Sequence, residues 1–390
     1  MKLHFFNEID ATCFLRDYWQ KKPLLIRGAL SDYRCPLSPE ELAGLACEEE
    51  IESRIVLQKG GTRPWEVRRG PFDADAFTRL PPSHWTLLVQ DVDKHLPATT
   101  ALLEAFRFLP DWRLDDIMIS YAADQGSVGP HVDEYDVFLL QASGRRRWRI
   151  RTSPVSEQEY IPGLDLRILP EFQPEQEWLL EPSDLLYLPP NIVHWGTAEG
   201  DNCITCSIGF RAPTLPEMAS AWFDAIIQHS ATRGHYRDTV VTPQNHPGEI
   251  TDQAMGHAQR LIDEFVHQDA ADRGRWFGCF MTEPKAHLQV EPRSPPLPLE
   301  QFVQALGDCG CLTRNGWSRL AFFRGTEDQD YLFVNGEEIP LAKRLCGLLE
   351  TITDHRQPTH EALAQWLEDP DAAGLLARLY NEGHFLFPDE

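Results

Sequence analysis

No apolar run in the chain approaches the roughly 18 residues that a membrane-crossing helix requires, so no membrane span is expected. Met1 to Asp10 lacks the basic and then apolar regions of a secretory signal, and a cytoplasmic location is the expectation. Cysteine is sparse: nine residues, an odd number at irregular spacing, argue against a disulfide framework and for reduced thiols. Cys203-Ile204-Thr205-Cys206 has CxxC spacing, but no second CxxC follows at zinc-ribbon spacing, and its β-branched interior reads as buried strand. Neither a phosphate-cradling P-loop nor a Ser-His-Asp set on a nucleophile elbow occurs. Basic residues are outnumbered, 36 Lys and Arg against 60 Asp and Glu, for a net charge of −24. Such a surface repels nucleic-acid backbones and anionic lipid and attracts basic proteins. The same acidity also serves plain solubility, so charge alone does not choose the partner.

What is present is an ordinary globular composition, 42% hydrophobic and 25% charged, in a chain long enough for two or three domains. Residues 1–213 are rich in short apolar runs separated by Gly and Pro: Leu24 to Ile26, Trp85 to Val89, Ile117 to Tyr121, Val137 to Gln141, Arg145 to Ile150, Leu185 to Leu188 and Cys203 to Phe210. Phe14 to Trp19 reads as a short helix ahead of them. Many short strands with such punctuation predict an antiparallel barrel or jelly roll rather than βαβ units. Residues 214–293 change to helical periodicity, with Met218, Trp222 and Ile226 on one face of a helix over 216–229 and a second helix over 253–268. An ordinary helical subdomain or a dimer interface would both produce this pattern. Ser294-Pro295-Pro296-Leu297-Pro298 reads as a linker. Residues 294–390 then combine short helices with a hairpin turned at Asn335-Gly336, the make-up of a winged-helix-like module. Helices are expected there over 341–353, 361–367 and 372–380, and the module carries too few clustered bases for direct nucleic-acid binding. The class is α+β.

The chemistry centres on His131-Val132-Asp133, followed much later by His194. Residues i and i+2 of a strand share a face, so His131 and Asp133 are placed to grip one ion together. Two imidazoles and one carboxylate form the facial set that holds Fe(II) and leaves positions open for a co-substrate and O₂. His-x-Asp alone is weak evidence. The Gly126-Ser127-Val128-Gly129-Pro130 turn ahead of it strengthens the reading, as does the rigid Ser183-to-Pro190 approach to His194. In Arg145 to Ile150, period-2 parity puts Arg146 with Trp148 and Ile150 on the inward face. A buried guanidinium needs an anion, either a protein carboxylate or the far carboxylate of a dicarboxylate co-substrate. Parity also puts Asp116, Met118 and Ser120 on one face of their strand, a mixed set that suits a cavity wall. Tyr135 shares parity with His131 and Asp133, and is either a cavity residue or a core tyrosine.

Four stretches carry a resemblance: Tyr18 to Ile26, Gly129 to Phe138, Gly144 to Trp148 and Gly209 to Pro213. On these residues the chain resembles the JmjC-type ribosomal oxygenases, and among them the bacterial arginine hydroxylases of ribosomal proteins. The likeness is specific over the first 213 or so residues and looser beyond. It implies a double-stranded β-helix (cupin) catalytic domain, a helical dimerisation domain and a winged-helix-like domain. It implies Fe(II) on His131, Asp133 and His194. It implies 2-oxoglutarate held by Arg146 with Ser120 assisting. It implies a substrate arginine lying near Asp116, Met118, Tyr135 and Ser207, with Asp116 pairing the guanidinium and Tyr135 stacking on it. At Thr205 the chain departs from relatives that carry Asn. The implied activity is 3-hydroxylation of an arginine in a basic large-subunit ribosomal protein by a cytoplasmic homodimer. Hydroxylation of histidine, demethylation, and a non-catalytic metal-binding cupin acting as an assembly factor are the alternatives.

Overall fold

The computed structural model describes residues 9–60, 64–154, 156, 160–164, 167–170, 173–229, 235–237, 248–266, 270–325 and 328–388. The opening residues 1–8, and residues 267–268 of the expected second helix, lie outside them. The chain divides into two compact units, residues 1–212 and 213–390.

The first unit is built from two antiparallel sheets. Its strands are β1 (Leu24–Ile26), β2 (Ser53–Gln58), β3 (Trp65–Arg69), β4 (Trp85–Val89), β5 (Leu114–Ala122), β6 (His131–Val132), β7 (Val137–Ser143), β8 (Arg146–Arg151), β9 (Gln176–Leu180), β10 (Leu185–Leu188), β11 (Val193–Ala198) and β12 (Cys203–Phe210). One sheet has eight strands in the order β1-β10-β7-β12-β5-β4-β2-β3, and the other has four in the order β6-β11-β8-β9. This is the jelly roll expected from the spacing of short strands, in the double-stranded β-helix form that the family resemblance implies. Non-consecutive neighbours such as β12 and β5 pair at the centre, with Cys206 opposite Ile119 and Ser207 opposite Met118.

Alternation divides the two faces of the large sheet. Ile117, Ile119, Phe138, Leu140, Tyr187, Cys206 and Ile208 point to a core shared with Phe14, Leu30, Leu42 and Phe106 of the N-terminal segments. Val137, Leu139, Leu186 and Leu188 point the other way and pack with Trp148 and Ile150 of the small sheet. Both faces of the central strands are therefore covered, and β12 is buried along its whole length. Both cysteines of the CxxC stretch lie buried and unbridged in β12.

Tight turns set the strand ends. Gly144 takes φ +63° between β7 and β8, where a Cβ would lie 2.5 Å from the Asn202 carbonyl, so only glycine fits. Asp184 accepts from the backbone N–H groups of Gly28 (2.9 Å) and Glu181 (2.9 Å) and pairs with Arg27 at 2.5 Å, which fixes the approach to β10.

Several elements differ from expectation. The first helix is Ala11–Asp17, because the Asp10 carboxylate caps it by accepting from the Cys13 N–H (2.7 Å). Strand β6 ends at Val132, so Asp133 follows the strand rather than lying in it. Strands β2, β3 and β9 carry charged residues that masked them as strands in the sequence.

In the second unit, helices Leu215–His229, Asp252–Val266 and Ala270–Thr282 precede helix Leu299–Cys309. Ile226 is buried and Trp222 meets Trp276 edge-on at 5.1 Å, so the periodic face of the first helix turns inward. Phe223 and Ile227 of that helix, and Met255, Leu261 and Ile262 of the next, are exposed. Further on, β13 (Thr313–Arg314) pairs with Leu386 and Phe385 near the chain's end, and β14 (Leu320–Phe323), β15 (Gln329–Val334) and β16 (Glu337–Ala342) form a three-stranded sheet. Asn335 and Gly336, at φ 47° and 86°, make the expected tight hairpin between the last two. Leu341 thus ends a strand instead of opening a helix, and the helix begins at Cys346. Pro340 is tolerated because β16 is an edge strand. The other two helices run His360–Leu367 and Pro370–Asn381.

Asp136 ties the barrel to its N-terminal segment. Fully buried, its carboxylate accepts from the Tyr187 hydroxyl (2.7 Å), Gln20 Nε2 (3.0 Å) and Arg113 Nη2 (3.3 Å). Asp136→Ala would strand three donors, one of them charged, and should lower stability by about 3–5 kcal/mol in urea unfolding. Asp136→Asn, which keeps an acceptor, should lose less.

Candidate active site

Strands β6 and β11 pair so that His131 lies directly opposite His194. Their rings face one another with centroids 4.2 Å apart. Asp133, one residue past the end of β6, swings to the same side, 3.4 Å from His194 Nε2 and 3.9 Å from His131 Nε2. The three donor atoms lie within 4.8 Å of one another. Gly129 makes this approach possible: it takes φ +84°, and a Cβ there would come within 2.8 Å of Ile168.

The tautomers follow from partners. His131 Nδ1 lies 2.9 Å from the Gly129 carbonyl and His194 Nδ1 lies 3.0 Å from the Ile192 carbonyl. A carbonyl only accepts, so each Nδ1 carries the proton and donates, leaving Nε2 with its lone pair toward the site. Burial, reinforced by the neighbouring His194, pulls the His131 pKa down to about 4, so the ring is neutral at neutral pH. Burial works against ionisation of Asp133, but the two adjacent imidazoles, His131 foremost, outweigh it and bring its pKa down to about 2. Two imidazoles that turn Nε2 to the site, and one carboxylate with no Lys or Arg partner among the described residues, form a set that fits a divalent iron ion.

The triad opens on a cavity of about 240 Å³ between the two sheets. Arg146 of β8 closes its inner end. The residue is 4% exposed, and Nη1 donates to Ser120 Oγ (3.3 Å) and Thr205 Oγ1 (3.2 Å). Thr205 in turn donates to Gln141 Oε1 at 3.2 Å. The guanidinium lies over the Trp148 ring at 5.3 Å, and its buried Nε has no acceptor. No carboxylate among the described residues pairs with it, and burial pulls its pKa down. An uncompensated buried guanidinium facing a cavity fits the far carboxylate of a dicarboxylate such as 2-oxoglutarate.

The wall opposite carries the remaining candidates. Asp116 is 7% exposed and accepts from the Asp91 N–H at 3.3 Å. Met118 and Ser207 are cross-strand partners that both line the cavity. Gly209 leaves room beside Asp116, whose Oδ1 would be 3.1 Å from a Cβ there. Tyr135 is 42% exposed at the rim and is not a core tyrosine. Its phenol pKa is raised by burial and by Asp133 and Asp116, so it stays protonated. The structure thus brings all nine expected site residues to one cavity. It also brings Arg54 and Val56 of β2 and Thr86, Leu88 and Gln90 of and beyond β4, which sequence reasoning missed. The parity argument that found Arg146 would have placed Arg54 and Val56 together had Ser53 to Gln58 been read as a strand.

A JmjC domain model matches residues 101–218, and a ROXA-like winged helix model matches residues 266–385. Fold and site together define an oxygenase of the JmjC class. The chain is 36% identical to the ribosomal protein uL16 3-hydroxylase of Escherichia coli over 374 residues, 96% of each chain. An X-ray structure of YcfD from E. coli superposes with a TM-score of 0.87 at 35% identity, covering 99% of this chain and 100% of that one. The E. coli ribosomal oxygenase YcfD in complex with cobalt and 2-oxoglutarate superposes with a TM-score of 0.84 at 35% identity, covering 99% of each. The chain belongs to the ribosomal oxygenase family.

His131→Ala and His194→Ala should each abolish uptake of cobalt(II), read from its visible absorption. In the metal-free protein, His131 has a folded pKa near 4 against an ordinary value of 6.5. The folded state therefore binds fewer protons than the unfolded chain between these values. The stability His131 contributes is complete above 6.5 and is lost as pH falls towards 4. Melting temperature should drop over that window in the wild type, and less steeply in His131→Gln.

Proposed function

We propose that this chain uses Fe(II), 2-oxoglutarate and O₂ to hydroxylate an arginine side chain of ribosomal protein uL16 at carbon 3. One observation carries the reading: a His131, Asp133 and His194 triad shares a cavity with an anion-seeking Arg146 at one end and the Asp116 carboxylate on the facing wall. Iron with 2-oxoglutarate and O₂ supplies the oxidising power to insert one oxygen atom into a C–H bond, with succinate and CO₂ as co-products. The protein's residues supply geometry. His131, Asp133 and His194 hold the metal, and Arg146, assisted by Ser120 and oriented by Thr205, anchors the far carboxylate. Asp116 takes the substrate guanidinium, Tyr135 stacks over it, and Met118 and Ser207 line its stem. A buried carboxylate at that place favours arginine over histidine, because it rewards a permanent cation.

The substrate is a basic protein and the chain carries a net charge of −24. No helix among the described residues is long and apolar enough to cross a membrane. A cytoplasmic site of action on ribosomal proteins belongs to the same proposal and rests on the likeness to the uL16 3-hydroxylase. The division at 213/214 and 293/294 into catalytic, helical and winged-helix-like parts belongs to the same proposal. In it the exposed Phe223, Ile227, Met255 and Ile262 face the second copy of a homodimer.

Intact-mass measurement of uL16 incubated with enzyme, Fe(II), 2-oxoglutarate and O₂ should show the gain of one oxygen atom, localised to an arginine by fragmentation. An unmodified uL16 would overturn the reading. Arg146→Ala should raise the 2-oxoglutarate requirement about a hundredfold, the scale of a lost buried charge pair. Asp116→Ala should lower kcat/KM for an arginine peptide by a similar factor, about a hundredfold, and leave the 2-oxoglutarate requirement unchanged.

A further inference from the structure

The cavity holds a second arginine to which nothing above gives a task. Arg54 of β2 enters it from the wall facing the metal triad, and its charge reaches His131, Asp133 and Tyr135. Its side chain makes no hydrogen bond or ion pair with any described residue, and its Nε is buried without an acceptor. A guanidinium that has given up water at Nε and gained no protein partner is costly unless a ligand completes it.

The geometry separates the two arginines. Arg146 lies against Ser120 and Thr205, at the inner end of the cavity on the small sheet. Arg54 stands on the large sheet, in register with Leu88 and through it with Ser120, and lines the same cavity as His131 and Asp133 of the opposite wall. A dicarboxylate anchored at one end by Arg146 and reaching the triad presents its other carboxylate there. The protein anions on that side are already committed. Asp133 belongs to the metal set, and Asp116 is the partner proposed for the substrate guanidinium.

We infer that Arg54 is a positioning residue that binds the keto-acid carboxylate of the co-substrate beside the metal, so that two arginines clamp the two ends of one dicarboxylate. This rests on the co-substrate assignment proposed above. It differs from it in naming the residue that reads the metal-side end. The planar fork suits a carboxylate whose other oxygen is committed to a cation. A single positive charge at that point also offsets the negative charge gathered by Asp133 and the bound keto acid.

The test uses full-length protein loaded with cobalt(II) and read by calorimetry, without turnover. The titrants are 2-oxoglutarate and 2-oxobutyrate, the second having the keto-acid end without the far carboxylate. Arg54→Gln should weaken both by about 10- to 100-fold, the worth of a charge-assisted hydrogen bond. Arg146→Ala should weaken 2-oxoglutarate only. Arg54→Lys keeps the charge but not the fork and should fall between wild type and Arg54→Gln. It carries the test if Arg54→Gln fails to take up cobalt. Unchanged binding of both acids by Arg54 variants that still take up cobalt would overturn the inference and leave the co-substrate assignment standing. So would a loss confined to binding of a uL16 arginine peptide, which would assign Arg54 to the substrate. Wild-type protein that takes up cobalt but not 2-oxoglutarate would instead bring down the co-substrate assignment itself.

Discussion

Arg146 is a positive charge placed where none of the described residues offers it a negative one. It is buried, hydrogen-bonded to two hydroxyls, laid over Trp148, and left with an empty Nε. Such an arrangement costs stability, and a fold keeps it only where a ligand repays it or packing over-determines it. Much of the barrel interior is arranged around this residue. Ser120 and Thr205 are cross-strand partners on β5 and β12 that reach it from the large sheet. Gln141 orients Thr205 from β7. Gly196 has no side chain because a Cβ there would press within 2.8 Å of the Trp148 ring. Trp148 also lies 5.8 Å from the His194 ring, so the same indole that supports the guanidinium steadies a metal ligand. One indole thus stands between the anchor and the metal site and touches both.

The triad obeys a different constraint, that of pairing. Because His131 and His194 are opposite one another on antiparallel strands, their approach is fixed by the sheet and not by loop geometry. Backbone carbonyls then choose the tautomer of each ring. Asp133 is the member outside the sheet, placed by the chain's exit from β6, and the Asn191 N–H holds its backbone by donating to its carbonyl at 2.8 Å. The site's half-buried character follows: two ligands are set in the sheet and the third stands at its open end.

Legibility in the sequence depended on how far each signal rests on strand parity. Arg146, Asp116, Met118 and Ser120 were readable because their strands alternate cleanly between apolar and polar faces, and parity is a local property. The prediction for Tyr135 was reached by extending parity beyond a strand that ends at Val132, so it led to the right cavity through an incorrect local structure. Arg54 was not readable for the opposite reason. Ser53 to Gln58 is a strand whose inward face includes an arginine, and a charge in an apolar run argues against a strand until a cavity is known to receive it. Thr86 is one polar residue in the apolar run Trp85 to Val89, and Gln90 lies beyond its end, so neither carries a local signal of a cavity. The order of strands in each sheet lay beyond any local signal, since β12 pairing with both β5 and β7 is a property of long-range closure. In the second unit, Asn335-Gly336 marked the hairpin unambiguously, yet Pro340 concealed its second strand. Proline argues against a central strand, and sequence does not say which strand is at an edge.

The acidity of the chain and the acidity of its site answer different questions. A net charge of −24 acts at long range, gathers any basic protein, and is screened over about 8 Å at physiological salt. It can raise an encounter rate but cannot tell arginine from lysine. Asp116 acts at contact distance inside a cavity that excludes most water, where screening is weak and geometry counts. In the proposed reaction, selection therefore falls to one buried carboxylate and the tyrosine at the rim, and the bulk charge only brings the partner near. That separation explains why composition alone left the partner open. The property that distinguishes substrates resides in a few side chains that strand pairing brings together, and no average over the chain records it.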